Sequence, residues 1–140
     1  MLLISQIKKN LLAVISIIIA VSTLSYTTYR NELTEENRNM RHAGFELLKE
    51  LNELQLLIDY AHYDNDPKNG NPIQGWSHVA YISDMSHLVS DDVVKGAIEL
   101  KQAWSNNWSI VQNDVASNKV MTDEINNMRM VTRKAIVRLR

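Results

Sequence analysis

A chain of 140 residues with formal charge −1 and no cysteine has room for one modest domain, and it excludes disulfides, thiolate catalysis and cysteine-based zinc sites. The charge is uneven: residues 1–29 carry Lys8 and Lys9 and no acid, which leaves 13 basic against 16 acidic residues, net −3, in 30–140. That balance argues against nucleic-acid binding, which needs a basic surplus to meet phosphates.

Two prolines and four glycines, clustered and not spread, point to long uninterrupted helices and an all-α fold. Residues 10–29 contain no charged side chain. At 1.5 Å per residue such a helix measures about 30 Å, the thickness of a bilayer's hydrocarbon core. Lys8 and Lys9 flank one side, and Arg30 is soon followed by Glu32, Glu35 and Glu36. The positive-inside bias therefore places residues 1–9 in the cytoplasm and 30–140 on the far side of a bacterial-type inner membrane, in the periplasm. Tyr26 and Tyr29 stand where an interfacial aromatic belt would put them. A cleaved signal peptide is the competing reading, because Ala20-Val21-Ser22 offers small residues at the two positions a signal peptidase reads. Against cleavage, the stretch stays uncharged past that point and the chain starts with apolar residues ahead of its lysines. Ser16 and Ala20 form one small-xxx-small pair through which a homodimer could pack.

From Met40 the apolar or small positions run Gly44, Leu47, Leu51, Leu54, Ile58 and Ala61, a heptad seam that Leu48 and Leu57 widen. The spacing predicts a helix over 30–63, able to run straight on from the membrane span. Residues 64–72 are nearly all turn formers and predict a loop. Ile73, Trp76, Val79 and Ala80, with Ile82 and Met85 less regular, predict a helix over 73–88. Ser90-Asp91-Asp92 reads as an N-cap with two carboxylates on the helix dipole, opening a helix over 91–116 whose face is Val93, Ala97, Leu100, Trp104, Trp108, Val111 and Val115. After a soft break at Ser117-Asn118, Met121, Ile125, Met128, Thr132, Ala135 and Leu139 predict a last helix over 119–140.

Charge suggests how the helices pair. Residues 30–66 hold 4 basic and 9 acidic side chains, net −5, whereas 119–140 hold 6 basic and 2 acidic, net +4. An up-down-up-down four-helix bundle on a transmembrane helix would return Arg133, Arg138 and Arg140 beside Glu32, Glu35 and Glu36. In layout alone the chain resembles the periplasmic helical bundles of chemoreceptors and the inner-membrane spanin subunits. It differs from the first in its single span, and from the second in that its outer part breaks into several helices.

Few constellations suggest chemistry. His78 and His87 are nine residues apart, on opposite helix faces, and cannot share a metal. Asp84 and His87 share a face, yet a di-iron bundle needs a second such motif and two further inward acids. The loop's Asp64, Asp66, Lys68, Asn69 and Asn71 begin like a calcium loop, but Lys68 takes the fifth position, the glycine comes at the seventh and Gly75 stands where a bidentate Glu is needed. The loop is instead a candidate partner-contact surface. Trp76, Trp104 and Trp108 either fill the core or line a ligand cavity. Ser77-His78 lacks any surrounding hydrolase signature. The sequence thus predicts a non-enzymatic scaffold, adaptor or assembly subunit, without cofactor or metal, held in the bilayer through 10–29 and bound to another protein. The alternative is a small-ligand sensor built on the three tryptophans; an exported metal protein or hydrolase comes last.

Overall fold

The computed structural model describes residues 10–139, so Lys8, Lys9 and Arg140 lie outside the described residues. These residues form four helices and no strand: α1 (Leu11–Asp59), extended by a π-helical turn (Tyr60–Asp64), α2 (Pro72–Ser86), α3 (Asp91–Asn107) and α4 (Val115–Arg138). The chain divides into two units, Met1–Glu36 and Asn37–Arg140, with the division falling inside α1.

The described part of the first unit is helical. Its most apolar stretch has a mean hydropathy of 2.0 and no buried residue. By length and composition it is able to cross a membrane. Three of the hydroxyls in this stretch bond within the helix: Ser16 Oγ donates to the Leu12 carbonyl, Thr23 Oγ1 to Ile19 and Thr27 Oγ1 to Thr23, at 2.8–2.9 Å. These three hydroxyls are satisfied one turn back along the helix. Tyr26 and Tyr29 are both exposed.

The second unit has one core. From α1 it takes Leu47, Leu51, Leu54 and Ile58, all fully buried, so the heptad seam faces inward. Val79 and Ile82 of α2, Val93, Leu100 and Trp104 of α3, and Met121, Ile125 and Met128 of α4 complete it. Polar side chains join α1 to α4 along their length: the Arg41 guanidinium donates to the Leu139 carbonyl (2.9 Å), Arg129 to Asn52 Oδ1 (2.8 Å), and Gln55 Nε2 to Thr122 Oγ1 (3.2 Å). His78 of α2 meets Glu50 of α1 at 2.7 Å; a carboxylate only accepts, so Nδ1 carries the proton.

Local chemistry explains most helix ends. Asn65, in the left-handed region at φ 49°, closes the π turn, a conformation asparagine tolerates because its short side chain bonds locally. Asn71 caps α2 by accepting from the Ile73 N–H, and Pro72 takes the first turn, where no N–H is needed. Ser90 caps α3 and Asp91 and Asp92 follow, as the sequence predicts.

Three expectations need correction. The third helix ends at Asn107, not 116, and the last begins at Val115, not 119. Asn107 turns its amide back onto the Ala103 carbonyl (2.7 Å), and Asp114 caps α4 by accepting from the Ser117 N–H (2.7 Å) and hydroxyl (2.6 Å). These bonds hold the Asp114 carboxyl below its ordinary pKa. On α2 the buried face is Gly75, Val79, Ile82 and Ser86, while Ile73 and Ala80 are exposed. Arg138 pairs with Asp92 of α3 at 3.6 Å instead of an acid on α1.

Two glycines distinguish rigid from yielding contacts. A Cβ on Gly75 would overlap Cζ2 and Cη2 of the buried Trp104 ring, which cannot move aside. On Gly44 it would meet Cγ1 and Cδ1 of the half-buried Ile136, at 2.6 and 2.8 Å, a side chain free to turn toward solvent. Gly→Ala inside a helix gains about 1 kcal/mol in propensity, and overpacking a rigid site costs about 1–3 kcal/mol. Gly75→Ala is therefore expected to destabilise by up to about 2 kcal/mol while Gly44→Ala is neutral or stabilising, as thermal unfolding followed by circular dichroism would show.

Candidate functional site

The π turn, the 64–72 loop and the α3–α4 turn meet at one end of the bundle. Gly70 lies against the backbone of Ala61, so closely that a Cβ would stand 2.6 Å from the Ala61 nitrogen and Cα. The His62 ring donates through Nδ1 to the Val111 carbonyl at 2.9 Å and stands edge-on to Tyr63. A cavity of about 140 Å³ remains between these segments, walled by Leu57, Ala61, Pro72, Trp104, Trp108 and Val111, with Ser109 and Gln112 also lining it.

The three tryptophans take three different roles. Trp104 is 1% exposed and fills the core, its indole N–H without an acceptor. Trp76 is half-buried and stands edge-to-face on Trp104, with ring centroids 6.3 Å apart. Trp108 caps the end of α3, is 39% exposed, and lines the cavity from outside the core. Only Trp104 and Trp108 share the cavity.

The loop is pinned by its own side chains. Asp66 accepts from the backbone N–H groups of Lys68 (2.8 Å) and Asn69 (3.2 Å) and from the Asn69 amide (2.6 Å). Asn71 is committed to capping α2. Asp64, Lys68 and Asn69 are exposed. The bonds from the Asn69 and then the Lys68 N–H hold the Asp66 carboxyl below its ordinary pKa. A depressed carboxyl stabilises the fold above its unfolded pKa, and that contribution is lost as pH falls through the folded value. The Lys68 and Asn69 amide resonances are accordingly expected to hold through the normal aspartate range and shift only below it. Asp66→Ala should speed hydrogen exchange at both amides at every pH.

What the sequence missed is the apolar rim of this end. Tyr63 (70% exposed), Ile73 (79%), Ile110 (48%) and Val115 (73%) come from the segments that meet here, beside Trp108. Helical spacing puts Ile73 and Val115 on buried faces and gives no sign of Tyr63 and Ile110, because all four lie at or beyond a helix end. Their signal is that they are large apolar residues next to turn formers. Among the described residues no group of three or more His, Asp or Glu side chains could hold a metal ion; His78 and His62 are engaged as described, and Asp84, His42 and His87 are exposed.

No family model, curated protein or solved structure matches the chain. Its own geometry is therefore the basis for assigning a function.

Proposed function

We propose that the protein is a single-pass inner-membrane protein whose helical bundle, in up-down-up-down order on the periplasmic side, binds another protein as an adaptor or assembly subunit. Support for the anchor is the uncharged stretch of α1, which has no buried residue and satisfies three of its hydroxyls within the helix. Support for the bundle order is the run of partners on α1 and α4: Arg41 with Leu139, Asn52 with Arg129 and Gln55 with Thr122 fall in opposite chain directions.

The observation that carries the protein-binding reading is the apolar rim of Tyr63, Ile73, Trp108, Ile110 and Val115 around a pinned end of the bundle. Exposed apolar clusters of this kind mark interaction sites, and a pre-ordered surface loses little entropy on binding. The adjoining cavity, about 140 Å³, falls below the roughly 300–1,000 Å³ of pockets that enclose metabolite-sized ligands. It suits one apolar side chain from a partner better than it suits a sensor's ligand.

Site-specific photo-crosslinking in native membranes tests this. Probes at Ile73 and Trp108 should each capture the same partner, and a probe at Tyr81 in the middle of α2 should not. Recovery of only scattered neighbours from the rim probes would overturn the adaptor reading. Protease added to spheroplasts should digest the bundle, and a mature chain starting at Thr23 would remove the anchor.

A further inference from the structure

A larger cavity lies elsewhere, a groove of about 450 Å³ between the start of α3 and the end of α4. From the end of α4 its lining takes the basic residues Lys134 and Arg138 and no acid. Val89, Val131, Ala135 and Leu139 give it apolar lining. Two lysines border it, Lys95 from α3 and Lys134 from α4, and among the described residues neither has an ion-pair partner. Asp92, also in the lining, is matched by Arg138 at 3.6 Å and sits in the first turn of α3, where the helix dipole offsets its charge. Glu99 is then the one acid of the lining set against two lysines.

We propose that this groove binds an anionic phospholipid, its phosphate between Lys95 and Lys134 and the start of an acyl chain on Val131, Ala135 and Leu139. Charge and apolarity act together here. A free phosphate would gain nothing from the valine and leucine surfaces, and a zwitterionic lipid brings its own cation with its phosphate and so leaves the two ammonium groups without net counter-charge. Lysine suits the task, since its four-carbon stem packs on apolar surface while the ammonium reaches the anion. The volume lies within the range of pockets that hold small ligands.

Chain connectivity favours the bilayer as the source. The Arg41–Leu139 bond places the end of α4 beside Arg41, four residues into the unit that begins at Asn37. Tyr29, the last residue of the uncharged stretch, precedes Asn37 by eight residues. The source of the lipid rests on the membrane reading above, whereas the chemistry of the groove does not.

The test uses the full chain purified in dodecyl maltoside, so that lipid binding is measured whether or not the chain spans a bilayer in the cell. Native mass spectrometry with added phosphatidylglycerol should show one lipid per chain, with phosphatidylcholine at least tenfold weaker and inorganic phosphate not retained. Lys95→Gln with Lys134→Gln should weaken phosphatidylglycerol binding roughly 25-fold, from about fivefold per lysine near an anionic headgroup, with the circular dichroism spectrum unchanged. Arg133→Gln, exposed and outside the groove, should leave binding intact. Equal affinity for phosphatidylcholine, equal affinity for phosphate alone, or undiminished phosphatidylglycerol binding by the double variant would each overturn the proposal. Failure of the anchor would show separately, as release of the chain from membranes by alkaline carbonate.

Discussion

Trp104→Ala is expected to lower the stability of the bundle by about 3–5 kcal/mol, the range for removing a large buried aromatic. Trp104 is 1% exposed, lies against Gly75 and meets the Trp76 ring edge-to-face. Its loss would therefore strip contacts from α2 as well as from α3. The cost falls in the upper half of that range because the new void opens toward the existing cavity of about 140 Å³, which leaves nothing nearby to collapse into it. Against a total stability of about 5–15 kcal/mol for a domain, this removes a large share. For a unit of this size the midpoint of thermal unfolding should fall by more than about 10 °C. Trp104→Phe makes the converse case. The indole N–H has no acceptor, and a buried donor left unpaired costs about 1–3 kcal/mol. Phenylalanine keeps most of the ring and removes that donor, so it is expected to be near neutral or stabilising. A large loss with phenylalanine would mean that the N–H is satisfied in solution, and a small loss with alanine would mean that the α2–α3 contact is not part of the core.

The parts of this fold that were legible in the sequence are those where one physical signal acts alone. The α1 seam from Gly44 to Ala61 was readable because a 3.5-residue apolar repeat free of proline matches the pitch of a helix and of no other regular backbone, and it is buried throughout. The starts of α2 and α3 were readable because Asn71-Pro72 and Ser90-Asp91-Asp92 can cap a helix whatever lies around them. The end of α3 was hidden by a coincidence. Trp108, Val111 and Val115 continue the helical spacing although the chain has already turned, and only Val111 of the three is buried. The true stop signals were two small polar residues, Asn107 and Asp114, whose bonds to the backbone outweigh apolar spacing. Charge totals pointed Arg138 toward Glu32, Glu35 and Glu36 and could not point to Asp92, which reaches it only once α3 and α4 are side by side. The same holds for His78 and Glu50, which are 28 residues apart. At the candidate site the sequence found Trp104 and Trp108 and the pinned loop, but not the rim. Hydrophobic periodicity is reliable in the middle of helices; at their ends it passed over Tyr63 and Ile110 and assigned Ile73 and Val115 to buried faces although both are exposed.

Replacing Ile18 and Ile19 together by arginine should abolish membrane retention of the chain, and the magnitudes show why two charges suffice. Residues 10–29 contain nine Leu, Ile or Val residues, each contributing about −0.3 to −0.6 kcal/mol to insertion near the centre of a span. Their sum is only a few kcal/mol, offset in part by three serines and three threonines. The intrahelical bonds of Ser16, Thr23 and Thr27 reduce that offset. Each arginine near the centre costs about 2.5–3.5 kcal/mol, so the pair exceeds the whole favourable sum. The bundle should be untouched, since Ile18 and Ile19 are about 60% exposed and belong to the other unit. The variant is therefore expected in the alkaline carbonate supernatant with the helical content of its second unit intact, while the parent chain stays in the pellet. Ile18→Leu with Ile19→Leu, equal in hydropathic effect, should pellet like the parent. If the arginine pair still pellets, the chain is held by something other than this helix, and the apolar rim of Tyr63, Ile73, Ile110 and Val115 is the first place to look for it.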